Sequence, residues 1–338
     1  LYTDTLILSK GTWNNIIRDF NYTHIEIPFP VTDNYIAVTG VAFAPNGLTG
    51  YVAALCHDDF AFQPDSSYYP VVIKTIDGGL TWGPKTRIKL DCIGTFFPSL
   101  GIYDWSTAFE LDMEVDMNNN LHMILAVGPA VGGFSIGTGA GQWGIFDLYT
   151  DNGGTTWNAE LLGKPQTFRG TWGVSPNALN EDSRPQITTN WAHDKIVFAW
   201  FDTDTFTFGT TQNLNPDIHV RGLDVATMMW SADPATSLSS GGCANGSCTF
   251  ALVSPYAFTS GTNFTIPVSI QEIVTDILNP TNHKYVAGLT ISITTMNAAG
   301  NPVILADSTT CMWSIKEQDN NLFTVTANYP NPFSGITT

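Results

Sequence analysis

The feature that most limits what this chain can fold into is an eight-residue segment that occurs twice. Thr75-Ile-Asp77-Gly-Gly79-Leu-Thr81-Trp82 returns as Thr150-Asp-Asn152-Gly-Gly154-Thr-Thr156-Trp157. Each copy follows an apolar-rich run, Val71 to Lys74 and Ile145 to Tyr149, and leads into another strand-like stretch. The pattern reads physically as a tight hairpin. The Asp or Asn oxygen can accept from N–H groups of its own turn. Glycine takes positive φ without a Cβ clash, and the indole can pack beneath the turn.

Helical periodicity is nearly absent elsewhere. Tyr69 to Lys74, Leu121 to Val127, Lys195 to Phe201 and Thr290 to Thr294 read as strands bounded by Gly, Asn, Asp or Pro. Weaker echoes of the repeat end at Trp13, Trp230 (after Asp224) and Trp313. The tryptophans at 13, 82, 157, 230 and 313 stand 69, 75, 73 and 83 residues apart. A four-stranded unit with long loops fits that period. The expected fold is therefore all-β, a β-propeller of about five to seven four-stranded blades. The turns at Gly47 to Gly50 and Asn118 to Asn120 are expected inside blades.

The two full copies resemble the Asp-box, or BNR, repeat of sialidase-like β-propellers. The resemblance implies structural hairpins on the outside of blades, with no activity attached to them. A second resemblance lies near the last residue. Tyr329-Pro330-Asn331-Pro332-Phe333 is similar to the opening strand of the type A sorting domain of type IX secretion. It implies a propeller over residues 1–327 and the start of a sorting domain over 328–338. It also implies the type IX secretion machinery as a partner, and a place outside the cell or on the outer surface of a Gram-negative bacterium. Leu1 in place of Met fits a processed N-terminus. Asp4-Thr5-Leu6 and Asp307-Ser308-Thr309 resemble sites that bacteria using this route O-glycosylate, with Thr5 and Ser308 as acceptors.

Composition narrows the partners. The net charge of -17 repels a phosphate backbone, so nucleic acid is not expected. No apolar run is long enough to form a transmembrane segment. Cys243 and Cys248 stand in the small-residue loop Gly-Gly-Cys-Ala-Asn-Gly-Ser-Cys and can close a local disulfide; buried free thiols are the alternative. Cys56, Cys92 and Cys311 then leave an odd thiol.

Catalytic signatures are sparse. The sequence holds no His-Glu-x-x-His and no P-loop lysine. A sialidase needs three arginines gripping a carboxylate. Only Arg18, Arg87, Arg169, Arg184 and Arg221 exist here, and Glu26-Ile27-Pro28 stands where the family has Arg-Ile-Pro. His57, beside Asp58 and Asp59, reads as a metal ligand or a loop histidine.

Phe109 to Asp116 alternates perfectly, so Glu110, Asp112, Glu114 and Asp116 share one strand face. On an innermost strand they would crowd a channel and favour a cation such as Ca2+. On an outer strand they would be a solvated edge. Asp202, Asp204 and Asp217 form a second acidic group, without the spacing of a known calcium loop.

The expected function is a non-catalytic surface module. It would bind extracellular glycans or proteins, or self-assemble, with Trp105, Trp143, Trp172 and Tyr256 as candidate sugar-stacking aromatics. The alternative is a glycoside hydrolase of sialidase-like fold. Pro330 and Pro332 lack N–H donors and cannot sit in a fully paired central strand. Truncating the full-length gene after Ala327 should therefore leave a folded protein in the periplasm and abolish its surface display. Protease accessibility on whole cells would measure this, and normal display of the truncated form would refute the sorting assignment.

Overall fold

The structure, a computed structural model, describes residues 5–28, 36–57, 66–101, 104–173, 178–232, 235–236, 243, 245–272 and 282–305. Trp313, Ser308, Cys311 and the Tyr329 to Phe333 motif lie outside the described residues, as do Asp58 and Asp59.

Strands β1 (Thr5–Asn14) and β2 (Asp19–Pro28) form an antiparallel hairpin. Thr5 is the first residue of β1. Three antiparallel meanders follow. The first runs β3 (Ile36–Phe43), β4 (Gly50–Cys56), β5 (Tyr69–Thr75) and β6 (Thr86–Arg87). The second runs β7 (Trp105–Val115), β8 (Leu121–Pro129), β9 (Gly144–Tyr149) and β10 (Asn158–Gly163). A small hairpin, β11 (Arg169–Trp172) with β12 (Leu179–Asp182), bridges to the third meander. That meander runs β13 (Gln186–Thr189), β14 (Lys195–Asp202), β15 (Asp217–Asp224) and β16 (Met229–Ser231), with β17 (Ala235–Thr236) also on β15.

In the fourth sheet, β18 (Leu252–Val253) and β19 (Phe258–Ser260) pair with different parts of β20 (Asn263–Glu272), which also pairs with β21 (Asn282–Ser292). The strand expected through Thr294 stops at Ser292, where a 3-10 turn over Ile293–Thr295 begins. Finally β22 (Met296–Ala299) adds outside β16 and β23 (Val303–Ile304) adds outside β10. This last stretch ties the outer edges of the second and third sheets together.

The sheets are arranged radially. The first strand of each packs on the first strand of the next: β3 on β7, β7 on β13, β13 on β18. Second strands are buried on both faces. In β14, Val197, Ala199 and Phe201 enter the core against the fourth sheet, while Ile196, Phe198 and Trp200 enter the core against the second. In β8, Met123, Leu125 and Val127 face the first sheet, while Ile124 and Ala126 face the third. The hairpin β1–β2 covers the remaining face of the first sheet, placing Leu6, Leu8 and Ile27 against Val52, Ala54 and Val71.

The two repeats occupy equivalent places, each joining the third and fourth strands of its meander. In the first, Asp77 Oδ1 accepts from the N–H groups of Leu80 and Thr81, both at 2.9 Å, and Thr75 Oγ1 accepts from Gly79 N–H at 3.0 Å. In the second, Asn152 Oδ1 accepts from Thr155 and Thr156 at 3.1 and 2.9 Å, and Thr150 Oγ1 accepts from Gly154 at 2.8 Å. Gly79 and Gly154 have φ of +81° and +96°, which a side chain would resist. The β15–β16 turn keeps part of the device, with Asp224 Oδ1 accepting from Ala226 at 3.0 Å and Trp230 buried. Trp13 departs from the series. It lies on β1, half exposed, with its ring 5.1 Å from Phe20 across the hairpin.

Trp157 is buried in the core between the first two sheets, whereas Trp82 is only half-buried beside the β1–β2 hairpin. Trp157→Ala should therefore destabilise the fold by about 3–5 kcal/mol, and Trp82→Ala by clearly less. Urea denaturation midpoints of the two variants would test the ordering.

Candidate functional site

A meander has two ends. At one lie the repeat turns. At the other lie the long connections: β4 to β5, β6 to β7, β8 to β9 and β10 to β13. Long connections carry functional groups more readily than tight turns do, and the charged and aromatic side chains converge at this second end.

Arg169 is the centre. It opens β11, and its Nη2 lies 2.8 Å from Glu110 Oε1 on β7 while its Nε lies 2.7 Å from Asp182 Oδ1 on β12. Its guanidinium also lies over Phe109 and Phe168, at 5.2 and 4.7 Å from the ring centroids. The aromatic strip continues. Tyr68 is 5.6 Å from Phe109 and 4.9 Å from Phe134, and His57 is 5.6 Å from Phe134. On the other side Trp143 meets Phe168 edge-on at 5.1 Å. The Arg169 side chain is 33% exposed, so the strip is reachable from solvent at its charged centre.

The acids of β7 face the third sheet and its approach. Glu110 holds Arg169, and Asp112 Oδ2 accepts from the Ile187 N–H on β13 at 2.9 Å. Glu114 Oε1 lies 2.9 Å from His193 Nδ1. Asp116 Oδ1 accepts from the N–H groups of Asn118 and Asn120, and its Oδ2 lies 3.7 Å from His122 Nε2. β7 is thus an innermost strand whose carboxylates serve as ties to neighbouring groups. Among the described residues no grouping of three or more His, Cys, Asp or Glu is arranged to hold a metal ion.

Burial pushes the Glu110 carboxyl up, against the pull of Arg169, and leaves its Oε2 without a partner. Burial raises Asp112 as well. Glu181 accepts from Arg184 Nε at 2.9 Å and from Phe250 N–H at 2.7 Å. Burial still pushes it up to about 7, with Arg184 pulling the other way. A deeper ionic group sits within the sheets. His122 Nδ1 lies 2.7 Å from Asp147 Oδ2. Burial opposes its charge, but Asp147 and Asp116 outweigh it and hold His122 at about 10.

The remaining sequence candidates have definite places. Arg221, on β15, is buried with Glu160, 3.0 Å away. Arg169, Arg184 and Arg221 are thus held by different carboxylates. Asp202 accepts from Gln166 and Thr167, Asp204 caps the short helix Thr205–Phe208, and Asp217 Oδ1 accepts from Gly246 N–H. Cys243 and Cys248 are disulfide-bonded, with Cα atoms 5.5 Å apart. His57 is buried, its Nδ1 3.1 Å from Ser67 O.

Two of the sugar-stacking aromatics need correction. Trp105 and Trp143 are fully buried, Trp105 stacked on Phe97 and Trp143 against Phe168. Trp172 and Tyr256 are partly exposed. Trp191, outside the sequence candidates, is 74% exposed and stacks on Tyr256 at 4.6 Å. It stands in the turn between β13 and β14, where a lone tryptophan among polar residues gave the only signal.

The radial meanders make the chain an all-β β-propeller. No family model matches it, and no curated protein matches it. Solved structures do. A Hadza microbial sialidase aligns with a TM-score of 0.42 and 11% identity, over 72% of this chain and 47% of its own. A polysaccharide lyase aligns with a TM-score of 0.34 and 11% identity, over 74% and 49%. A levansucrase from Gluconacetobacter diazotrophicus aligns with a TM-score of 0.38 and 8% identity, over 81% and 68%. The chain spans about half the length of the first two.

The site has a pH signature. Glu181 binds its proton more tightly in the folded chain, at about 7 against an ordinary 4.5. Its contribution to stability is then complete below the ordinary value and is lost as pH rises through the folded one. Urea unfolding should show stability falling between pH 4.5 and about 7. Glu181→Gln should remove that part of the slope.

Proposed function

We propose that this chain is an exported surface propeller of the Asp-box type that binds glycans or other proteins outside the cell and does not cleave them. Type IX machinery would deliver it through the Tyr329 to Phe333 motif. The observation that supports binding is the Arg169 strip: a cation lying over Phe109 and Phe168 and pinned by Glu110 and Asp182. Such a group presents a fixed donor beside aromatic faces, which suits a sugar or a polar peptide. Arg169, Arg184 and Arg221 are each engaged with a separate carboxylate, so they are not gathered to grip one ligand carboxylate together. Association of copies of the chain is a further outcome of the same surface chemistry.

One feature favours the hydrolase reading. Burial pushes Glu110 up and Glu181 up to about 7, and a carboxyl raised as far as Glu181 can act as a general acid. A glycan array together with a fluorogenic glycoside panel separates the two. The expected result is glycan binding that falls about tenfold in Arg169→Met, as loss of a charge-assisted hydrogen bond implies, with no turnover. Turnover that disappears in Glu110→Gln or Glu181→Gln would replace the binding reading with the hydrolase one.

A further inference from the structure

A second concavity lies at the opposite end of the sheets, between the two repeat turns. Its volume is about 400 Å³, within the range of a small-ligand pocket. Trp82, from the first turn, and Trp157, from the second, both line it, and Tyr51 contributes a third aromatic ring. Lys74 crosses the gap. Its Nζ donates to Gly153 O at 2.8 Å and lies 5.4 Å from the Tyr51 ring centroid.

The polar character of this cleft is one-sided. The indole N–H groups of Trp82 and Trp157 are buried and have no hydrogen-bond partner. An ammonium carries three donors, and the described contact with Gly153 uses one of them. None of the lining residues is acidic, in a chain whose net charge is -17. The Lys74 cation calls for a negative ligand that accepts from it. The half-buried Trp82 indole favours a ligand with a flat C–H face, which a pyranose ring supplies and a simple inorganic anion does not.

We propose that the cleft between the two repeat turns is a binding site for an acidic pyranose, of the hexuronate type, either free or at the end of a glycan. The site is separate from the Arg169 strip and stands whether or not that strip binds glycans. The carboxylate would meet the Lys74 ammonium, and the ring would lie against the half-buried Trp82 indole. No bond is made or broken.

The test is isothermal titration of the intact chain with D-glucuronate, D-glucose and acetate. Saturable binding of glucuronate is expected, with glucose and acetate each weaker by about tenfold or more, the factor that one charge-assisted hydrogen bond supplies. Lys74→Met should weaken glucuronate by about tenfold on the same ground. Equal affinity for glucose, equal affinity for acetate, or unchanged binding in Lys74→Met would overturn the proposal.

A second measurement needs no folded variant in the titration. In the wild-type chain, the indole N–H resonances of Trp82 and Trp157 should shift with added glucuronate, the assignment coming from Trp→Phe spectra. Stationary indole resonances would overturn it as well.

Discussion

The structure depends on one constraint: a sheet between two other sheets has no solvent face. Antiparallel sheets commonly keep one wet side and alternate accordingly. Here β4 and β8 are buried at every position, and β14 at all but its first. Gly-Tyr-Val-Ala-Ala-Leu-Cys and Leu-His-Met-Ile-Leu-Ala-Val-Gly-Pro are therefore nearly continuous apolar runs, with alternate residues feeding two different cores. A polar residue placed on such a strand must bring its partner with it, because an unpaired buried donor or acceptor costs about 1–3 kcal/mol. His122 meets that demand through Asp147 on the adjacent strand, and Arg221 through Glu160 across the seam between sheets. Pairs of this kind contribute little net stability, yet removing one partner costs roughly 3–5 kcal/mol. The Arg221–Glu160 pair crosses from one sheet to the next, whereas His122–Asp147 ties two strands of a single sheet.

The acidic face of β7 follows from the same constraint. A first strand lies near the axis, where its two faces meet different neighbours. Met113 and Val115 face the first sheet, and the carboxylates face the third. The alternation of Glu110, Asp112, Glu114 and Asp116 was legible in the sequence, and so was the choice between an inner and an outer strand. What decided it was the order of sheets, a long-range property that no local pattern carries. The partners are equally remote: Arg169 is 59 residues from Glu110, and Ile187 is 75 from Asp112.

The turns show the other extreme. The Thr-x-Asp/Asn-x-Gly-x-Thr-Trp signature encodes hydrogen bonds that span no more than four residues, so its geometry could be read directly. The tryptophan is the part that is not local. Trp157 closes a core because a neighbouring sheet lies over it, while Trp82 packs beside Phe43 and the cluster under the β1–β2 hairpin and stays half-exposed. The same logic explains the aromatics. Trp105 and Trp143 resemble Trp191 in composition of their surroundings, but the first two sit at strand starts between sheets and the third at the tip of a turn. Exposure was decided by position in the ring.

The two ends of the sheets consequently differ in what they can tolerate. At the turn end, side chain to backbone bonds within each repeat hold the chain, and successive turns meet through single bridges such as Lys74 to Gly153. A gap between turns is then compatible with the fold, because neither turn needs the other to form. At the loop end, beside the local Asp204 cap, long-range contacts hold the connections: Arg169 to Glu110, Asp202 to Gln166 and Thr167, Glu181 to Phe250. Those contacts order the loops by drawing charged groups into partly buried positions, which is also what pushes Glu110 and Glu181 upward. The perturbed carboxyls at this end are therefore a by-product of loop ordering before they are a sign of chemistry. A binding surface can be built on such loops without any group being set free to react.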